Sequence, residues 1–307
     1  MQPRRPAASG RSRPAITARN QRVAIGAGTG IVLLLLLSCH TAGQQQQRNF
    51  VYDRGGIIRG DRARKDLALV FTGDSFAGGG EHIRQTLKRH QVKASFFFTG
   101  RFYRRIDLRR LIENLAADGH YLGAHSDAHL LYCSWEKRDS LLVTRQQFEA
   151  DLAANYREME KFGIHTARAK YFLPPYEWYN ETISAWAGAR GLTLVNFTPG
   201  TRTQADYTHP AMGARYLSSA KIWESIWEYE RKDPAGLNGF ILLLHLGADP
   251  RRTDKFYLRL DALLTALREK GYRCRRIDEL LEEGRRYASL CPVADFIKTR
   301  LALLCGG

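Results

Sequence analysis

His125 and His129, four residues apart in Gly123-Ala124-His125-Ser126-Asp127-Ala128-His129, directly follow a short apolar β-run, and that spacing can grip a metal ion. One helical turn brings positions i and i+4 to the same face, so both ring nitrogens can converge on one ion. Two ligands are not a site. The carboxylate of Asp74, just past the apolar run Leu67-Ala68-Leu69-Val70-Phe71, is the candidate third ligand. Two His and one carboxylate suit zinc or a similar divalent ion and leave a coordination position open for water and substrate. The chemistry of such a centre is hydrolysis. In a chain with nine histidines, an H-x-x-x-H match alone reads equally well as surface or capping imidazoles. Position argues for more: Pro174-Pro175-Tyr176-Glu177-Trp178 and Leu242-Leu243-Leu244-His245 also lie at the ends of β-runs, and scattered surface residues would not line up this way.

The elements that must position these residues alternate regularly. Apolar β-runs at 67–72, 94–99, 120–124, 169–173, 192–197, 240–244 and 272–276 are separated by amphipathic stretches at 81–90, 108–118, 145–162, 180–190, 218–231 and 255–270, with another at 278–287. Seven β-runs, each followed by a helix or a long loop, imply a parallel sheet, because parallel neighbours need crossover connections. The fold class expected is therefore α/β, and seven parallel strands are nearly a closed (β/α) barrel. Chemistry in such barrels sits at the C-terminal ends of the strands. Asp74, His125, Tyr176 and His245 follow the first, third, fourth and sixth runs, so all four are expected to rim one mouth.

A length of 307 residues with no internal Pro/Ser-rich linker favours one large domain after the leader. The first 22 residues hold six arginines and no acid, and an apolar run at 23–37 follows, which reads as a bacterial export signal at 1–43. The run is shorter than a membrane span of about 20 residues, though an uncleaved anchor remains an alternative. Leu36-Leu37-Ser38-Cys39 resembles a lipobox, in which Cys39 is lipidated and attaches the protein to a membrane; plain cleavage nearby stays open. A periplasmic protein or outer-membrane lipoprotein is expected. Residues 44–66 read as a tether and entry loop, 67–284 as the barrel, and 285–307 as an extension that packs as an amphipathic helix. The leader arginines supply +6 of the formal net charge of +16, leaving 41 basic against 31 acidic residues. These are spread without aromatic interleaving or a recognition helix, which argues against a nucleic-acid partner and for a basic solvated surface. Cys133, Cys274, Cys291 and Cys305 form no C-x-x-C, so a thiolate metal site is not expected. In an exported protein Cys291 and Cys305 could pair, although spacing does not fix connectivity.

Taken in order, these motifs resemble the polysaccharide deacetylases of the NodB-like carbohydrate esterase family 4, over roughly 67–281. The resemblance implies the irregular (β/α) barrel of that family. His125-Ser126-x-x-His129 is similar to its H-[ST]-x-x-H metal motif. Leu243-Leu244-His245 is similar to its L-x-H, whose His is the general acid and whose Leu lines the acetyl pocket. Pro175-Tyr176 matches the end of R-x-P-Y, whose Tyr backbone N–H helps hold the oxyanion. The departures are as informative. Family members usually begin T-F-D-D, with the first Asp as base and the second as metal ligand, whereas Val70-Phe71-Thr72-Gly73-Asp74 keeps one Asp. Asp74 takes the ligand role here, because two neutral imidazoles alone hold a divalent ion weakly. Leu173 stands where the R-x-P-Y arginine is expected, and Glu177 follows where many members have Gly. Glu177 either replaces the missing base or pairs with a nearby arginine. Asp206 is the nearest carboxylate to orient His245, and Trp178 stacks on a sugar face or packs as an ordinary aromatic.

The resemblance implies a metal-dependent hydrolase that removes acetyl groups from a carbohydrate polymer or oligosaccharide by attack of metal-bound water. Asp74, His125 and His129 would hold the divalent metal, zinc by expectation. Glu177 would act as base, the Tyr176 N–H as oxyanion donor and His245 as acid, with Leu243 and Trp178 against the substrate. Two alternatives stand. Gly73-Asp74-Ser75-Phe76 resembles the G-D-S-L block of lipase-like esterases, with Ser75 as nucleophile and Asp206-x-x-His209 as its D-x-x-H pair. The other is a carbohydrate-binding relic of the deacetylase fold, its metal retained and its base lost. Gly78-Gly79-Gly80 reads as a flexible approach to a helix, since no Lys-Ser/Thr follows.

Overall fold

The structure is a computed structural model that describes residues 50–281. The export leader with Cys39, the Cys291 and Cys305 pair and the 285–307 extension lie outside the described residues. The chain enters through an antiparallel hairpin, β1 (Val51–Asp53) and β2 (Gly56–Arg59). It then builds a seven-stranded sheet from β3 (Asp66–Gly73), β4 (Ser95–Phe98), β5 (Tyr121–Ala124), β6 (Tyr171–Phe172), β7 (Thr193–Leu194), β8 (Ile241–His245) and β9 (Arg273–Arg275). Every pairing in this sheet is parallel, in the order β7-β6-β5-β4-β3-β8. Ala68 pairs with both Ile241 and Arg275, so β9 shares an edge of β3 with β4 and covers only its start. All seven expected β-runs are strands of this curled, open half-barrel.

Burial on both faces explains why the strand sequences are continuously apolar. Along β3, Leu67, Leu69 and Phe71 join the layer beneath the helices, while Ala68 and Val70 join Phe97, Tyr171, Ile241 and Leu243 inside the curl. The outer layer is made by α1 (Gly80–Arg89), α2 (Gly100–Tyr103), α3 (Arg109–Ala117), α4 (Arg145–Glu160), α5 (Glu181–Ala189), α6 (Ser219–Lys232) and α7 (Leu260–Glu269). Helix α4 starts at a reciprocal cap, Thr144 accepting from the Gln147 amide and Gln147 from the Thr144 amide. No helix among the described residues is long and apolar enough to cross a membrane.

The expected entry loop is partly wrong. Ile57 bridges Val195 just past β7, and Arg59 bridges Phe240 just before β8, so the hairpin fills the gap between the two edges of the curl. The segment looked polar because its charge is buried with partners. The Arg59 guanidinium donates to the Asn238 and Gly236 carbonyls at 2.8 and 2.7 Å, to the Tyr229 hydroxyl at 2.9 Å and to Asp233 at 3.1 Å.

Candidate active site

A cavity of about 790 Å³ opens at the C-terminal ends of the strands, lined among others by Asp74, His125, His129, Tyr176, Glu177 and His245. The single mouth expected from strand order is present. How each side chain arrives there differs from the expectation in several places.

The two histidines do not lie on a helical turn. Ser126 (φ 72°) and His129 (φ 55°) are left-handed, and the segment is an irregular loop that brings the two rings to a 5.1 Å centroid separation. Helix α4 holds this loop from behind with two polar residues one turn apart. Asp151 accepts from the Ser126 hydroxyl (2.6 Å), the Asp127 and Ala128 amides (3.1 and 2.9 Å) and the Tyr132 hydroxyl (3.3 Å). Asn155 accepts from the His125 amide at 2.8 Å and donates to the Phe98 carbonyl at 3.2 Å. The Leu173 carbonyl can only accept, so His125 donates from Nδ1 at 2.8 Å and keeps Nε2 as an acceptor. Burial, with repulsion from His129, pushes His125 down to about 3. His129 falls to about 4, chiefly through burial, so both rings are neutral at pH 7.

Asp74 is turned to a different partner. The inward side chains of β3 end at Thr72, whose buried hydroxyl has no hydrogen-bond partner among the described residues. Asp74 lies beyond the strand, and its Oδ1 accepts from Thr99 at 2.9 Å and from Arg101 Nη2 and Nε at 2.9 and 3.2 Å. Its Oδ2 accepts from Arg101 Nη2 at 2.9 Å and from the Ser75 hydroxyl at 2.8 Å. Burial alone would raise this carboxyl; the Ser75, Thr99 and Arg101 hydrogen bonds and the field of His129 hold it below the usual range. Among the described residues, no three His, Cys, Asp or Glu side chains are grouped so as to hold a metal ion. The expected Asp74, His125 and His129 cage is therefore not assembled, because a guanidinium already satisfies its carboxylate. Nor is there room for an acid at position 73, where a Cβ would come within 2.8 Å of the Phe98 ring and 3.0 Å of Phe102. These residues do not fit a divalent metal.

The opposite wall carries an acid–base array. Asp206 accepts from the His245 amide at 2.9 Å and meets its Nδ1 at 2.6 Å across 39 residues of chain, which is the role suggested for it in the sequence. Burial disfavours a charged His245, but Asp206 and then Glu177 outweigh it and raise its pKa above the ordinary value. Glu177 is pushed up to about 7, by burial first and by Asp206 second, against the opposing field of His245. No arginine partners it in a salt bridge among the described residues, and Tyr176 and Glu177 are consecutive left-handed residues at φ 58° and 54°. Such conformations cost of order 1–3 kcal/mol each for residues other than glycine.

Two expected substrate contacts move. Leu243 is buried inside the curl and does not line the cavity. Trp178 stands behind the wall, its ring under Arg138 at 4.3 Å and its Nε1 donating to the Ser134 carbonyl at 3.1 Å. Trp135, 56% exposed and 5.8 Å from the Tyr176 ring, takes the cavity position, and Tyr207 faces His245 at 4.9 Å. The serine-esterase constellation does not form. Ser75 donates to Asp74, Asp206 turns to His245, and the buried His209 Nδ1 has no hydrogen-bond partner among the described residues. Sequence reasoning missed Arg101, Trp135, Asp151 and Asn155. Only the last two carried a signal, as polar residues at i and i+4 on the face that Phe148, Leu152 and Tyr156 bury.

The family model for polysaccharide deacetylases matches residues 59–195, which hold β3 to β7, Asp74, the His loop and the Tyr176-Glu177 turn. Over that stretch the chain is of the polysaccharide deacetylase family. It is similar to the uncharacterized protein YlxY of Bacillus subtilis, 27% identical over 236 residues that cover 75% of this chain and 61% of YlxY. It therefore spans less than two thirds of that relative. The peptidoglycan-N-acetylmuramic acid deacetylase PdaA of Bacillus subtilis is 24% identical over 78% of this chain and 80% of PdaA. In fold, the chain also resembles the crystal structure of a carbohydrate esterase family 4 pseudoenzyme from Bacillus anthracis. That match has a TM-score of 0.55 and 21% identity, covering 76% of this chain and 70% of the other.

Proposed function

We propose that this chain binds an acetylated glycan of the bacterial cell envelope in the strand-end cavity and does so without metal-activated hydrolysis. One observation carries the reading: Asp74, the acid expected to complete a metal centre, is taken up by Arg101, Thr99 and Ser75. Sugar binding is supported by the exposed ring faces of Trp135 and Tyr176 on one side and Tyr207 on the other, which offer apolar surface to the C–H faces of a sugar. The similarity to PdaA supports an envelope glycan. The arginine-rich leader supports export, and Leu36-Leu37-Ser38-Cys39 supports attachment through Cys39.

A second reading has its own observation. Glu177 with a pKa near 7 beside a His245 raised by Asp206 is a pair able to exchange protons at neutral pH, as a general base and general acid must. It predicts slow acetyl transfer to water with no metal requirement. Oligosaccharides of chitin-like and peptidoglycan-like type, assayed for binding and for acetate release with and without added zinc, separate these cases. The expected outcome is binding with no acetate above the protein-free rate. Zinc-stimulated release overturns the proposal, and metal-independent release that vanishes in Glu177→Gln establishes the second reading instead.

A further inference from the structure

The end of β3, the start of α2 and the His loop meet around Arg101. Arg101 Nη2 lies 2.9 Å from each oxygen of Asp74, with Nε 3.2 Å from Oδ1. Its main chain is fixed independently of that contact. The Gly100 amide donates to the Ser126 carbonyl at 3.1 Å and the Arg101 amide to the Asp127 carbonyl at 3.2 Å, stitching α2 to the His loop. Gly100 is what permits this approach, since a Cβ there would fall 1.8 Å from Asp127 Oδ1. Thr99 caps α2 by accepting from the Phe102 amide at 3.1 Å and donates its own hydroxyl to Asp74 at 2.9 Å. Arg101 is thus held on Asp74 by its side chain and on the His loop by its main chain, and its positive charge acts on His129.

A guanidinium spanning both oxygens of a carboxylate is a strong, geometrically specific arrangement. It also repels any cation approaching the same carboxylate. We propose that Arg101, paired with the cavity residue Asp74, neutralises that carboxylate in place of a divalent metal and so excludes one from Asp74, His125 and His129. The inference rests on the reading of the cavity as a metal-free glycan site and supplies its cause. A single side chain, and not only the lost first-motif acid, keeps the ion out.

Cobalt(II) and zinc titrations of the full chain test this, the first followed by visible absorption and the second by calorimetry, with no activity needed. Wild type is expected to show no uptake that depends on Asp74. Arg101→Ala, a change at a half-exposed side chain, is expected to take up one ion about 10- to 100-fold more tightly than wild type and to lose it again in Arg101→Ala/Asp74→Asn. Arg101→Gln removes the charge while keeping hydrogen-bonding groups, and gains the same uptake if charge is the cause. Asp74-dependent uptake by wild type as tight as that of Arg101→Ala overturns the inference, as does its absence from both Arg101 variants. Oligosaccharide binding measured on the same samples keeps the two claims apart: its absence overturns the glycan reading while the metal result stands.

Discussion

Glu177 sits where its charge is least welcome and its backbone least relaxed. Its carboxyl is raised from 4.5 to about 7, and its φ of 54° follows the 58° of Tyr176. The Asn196 side-chain amide, donating to the Glu177 carbonyl at 2.8 Å, helps hold that turn. A raised acid has a definite consequence for stability. Below about 4.5 both folded and unfolded chains carry the proton; between there and about 7 only the folded chain keeps it, so stability falls as pH rises through that window. Glu177→Gln is expected to flatten this slope and to gain roughly 1–3 kcal/mol at pH 8 relative to pH 4. Urea unfolding of both proteins across that range measures it, and parallel pH profiles would show that Glu177 titrates normally.

Helix α4 does more than cover the sheet. Through Asp151 and Asn155 it gathers two amides and two hydroxyls of the His loop and its surroundings, plus the His125 amide, into buried hydrogen bonds. The left-handed Ser126 and His129 persist because those bonds over-determine the loop. Replacing Asp151 by Ala leaves several donors buried without an acceptor, so the expected loss is about 2–4 kcal/mol, together with the His125–His129 ring contact. Chemical denaturation measures the first and ring-to-ring nuclear Overhauser effects the second. A variant within about 0.5 kcal/mol of wild type with the ring contact intact would assign the loop's shape to other contacts.

The hairpin β1–β2 closes the molecule. Without it, the β7 and β8 sides of the curl would each lose a bridging neighbour, and the guanidinium of Arg59 would no longer tie β2 to Asp233 and to the turn at Gly236. Arg59→Ala takes a buried donor from the Asn238 and Gly236 carbonyls and leaves Asp233 to the more distant Arg62 at 3.5 Å, the Tyr229 hydroxyl and the Ala235 amide, so it is expected to destabilise the chain by about 1–3 kcal/mol, read as a lower urea midpoint; an unchanged midpoint would show that this guanidinium does not hold the hairpin in place. By itself the sequence determined the seven strands, their parallel order of appearance and the common mouth at which Asp74, His125, Tyr176 and His245 lie, because apolar runs and the crossovers between them are local properties of the chain. The tertiary structure alone decided that Asp74 faces Arg101 and not the histidines, that Trp135 and not Trp178 borders the cavity, and that a hairpin seals the curl. Each of those outcomes is a competition for a partner across distant stretches of chain, and side-chain spacing along the sequence does not say which competitor is nearer once the sheet has curled.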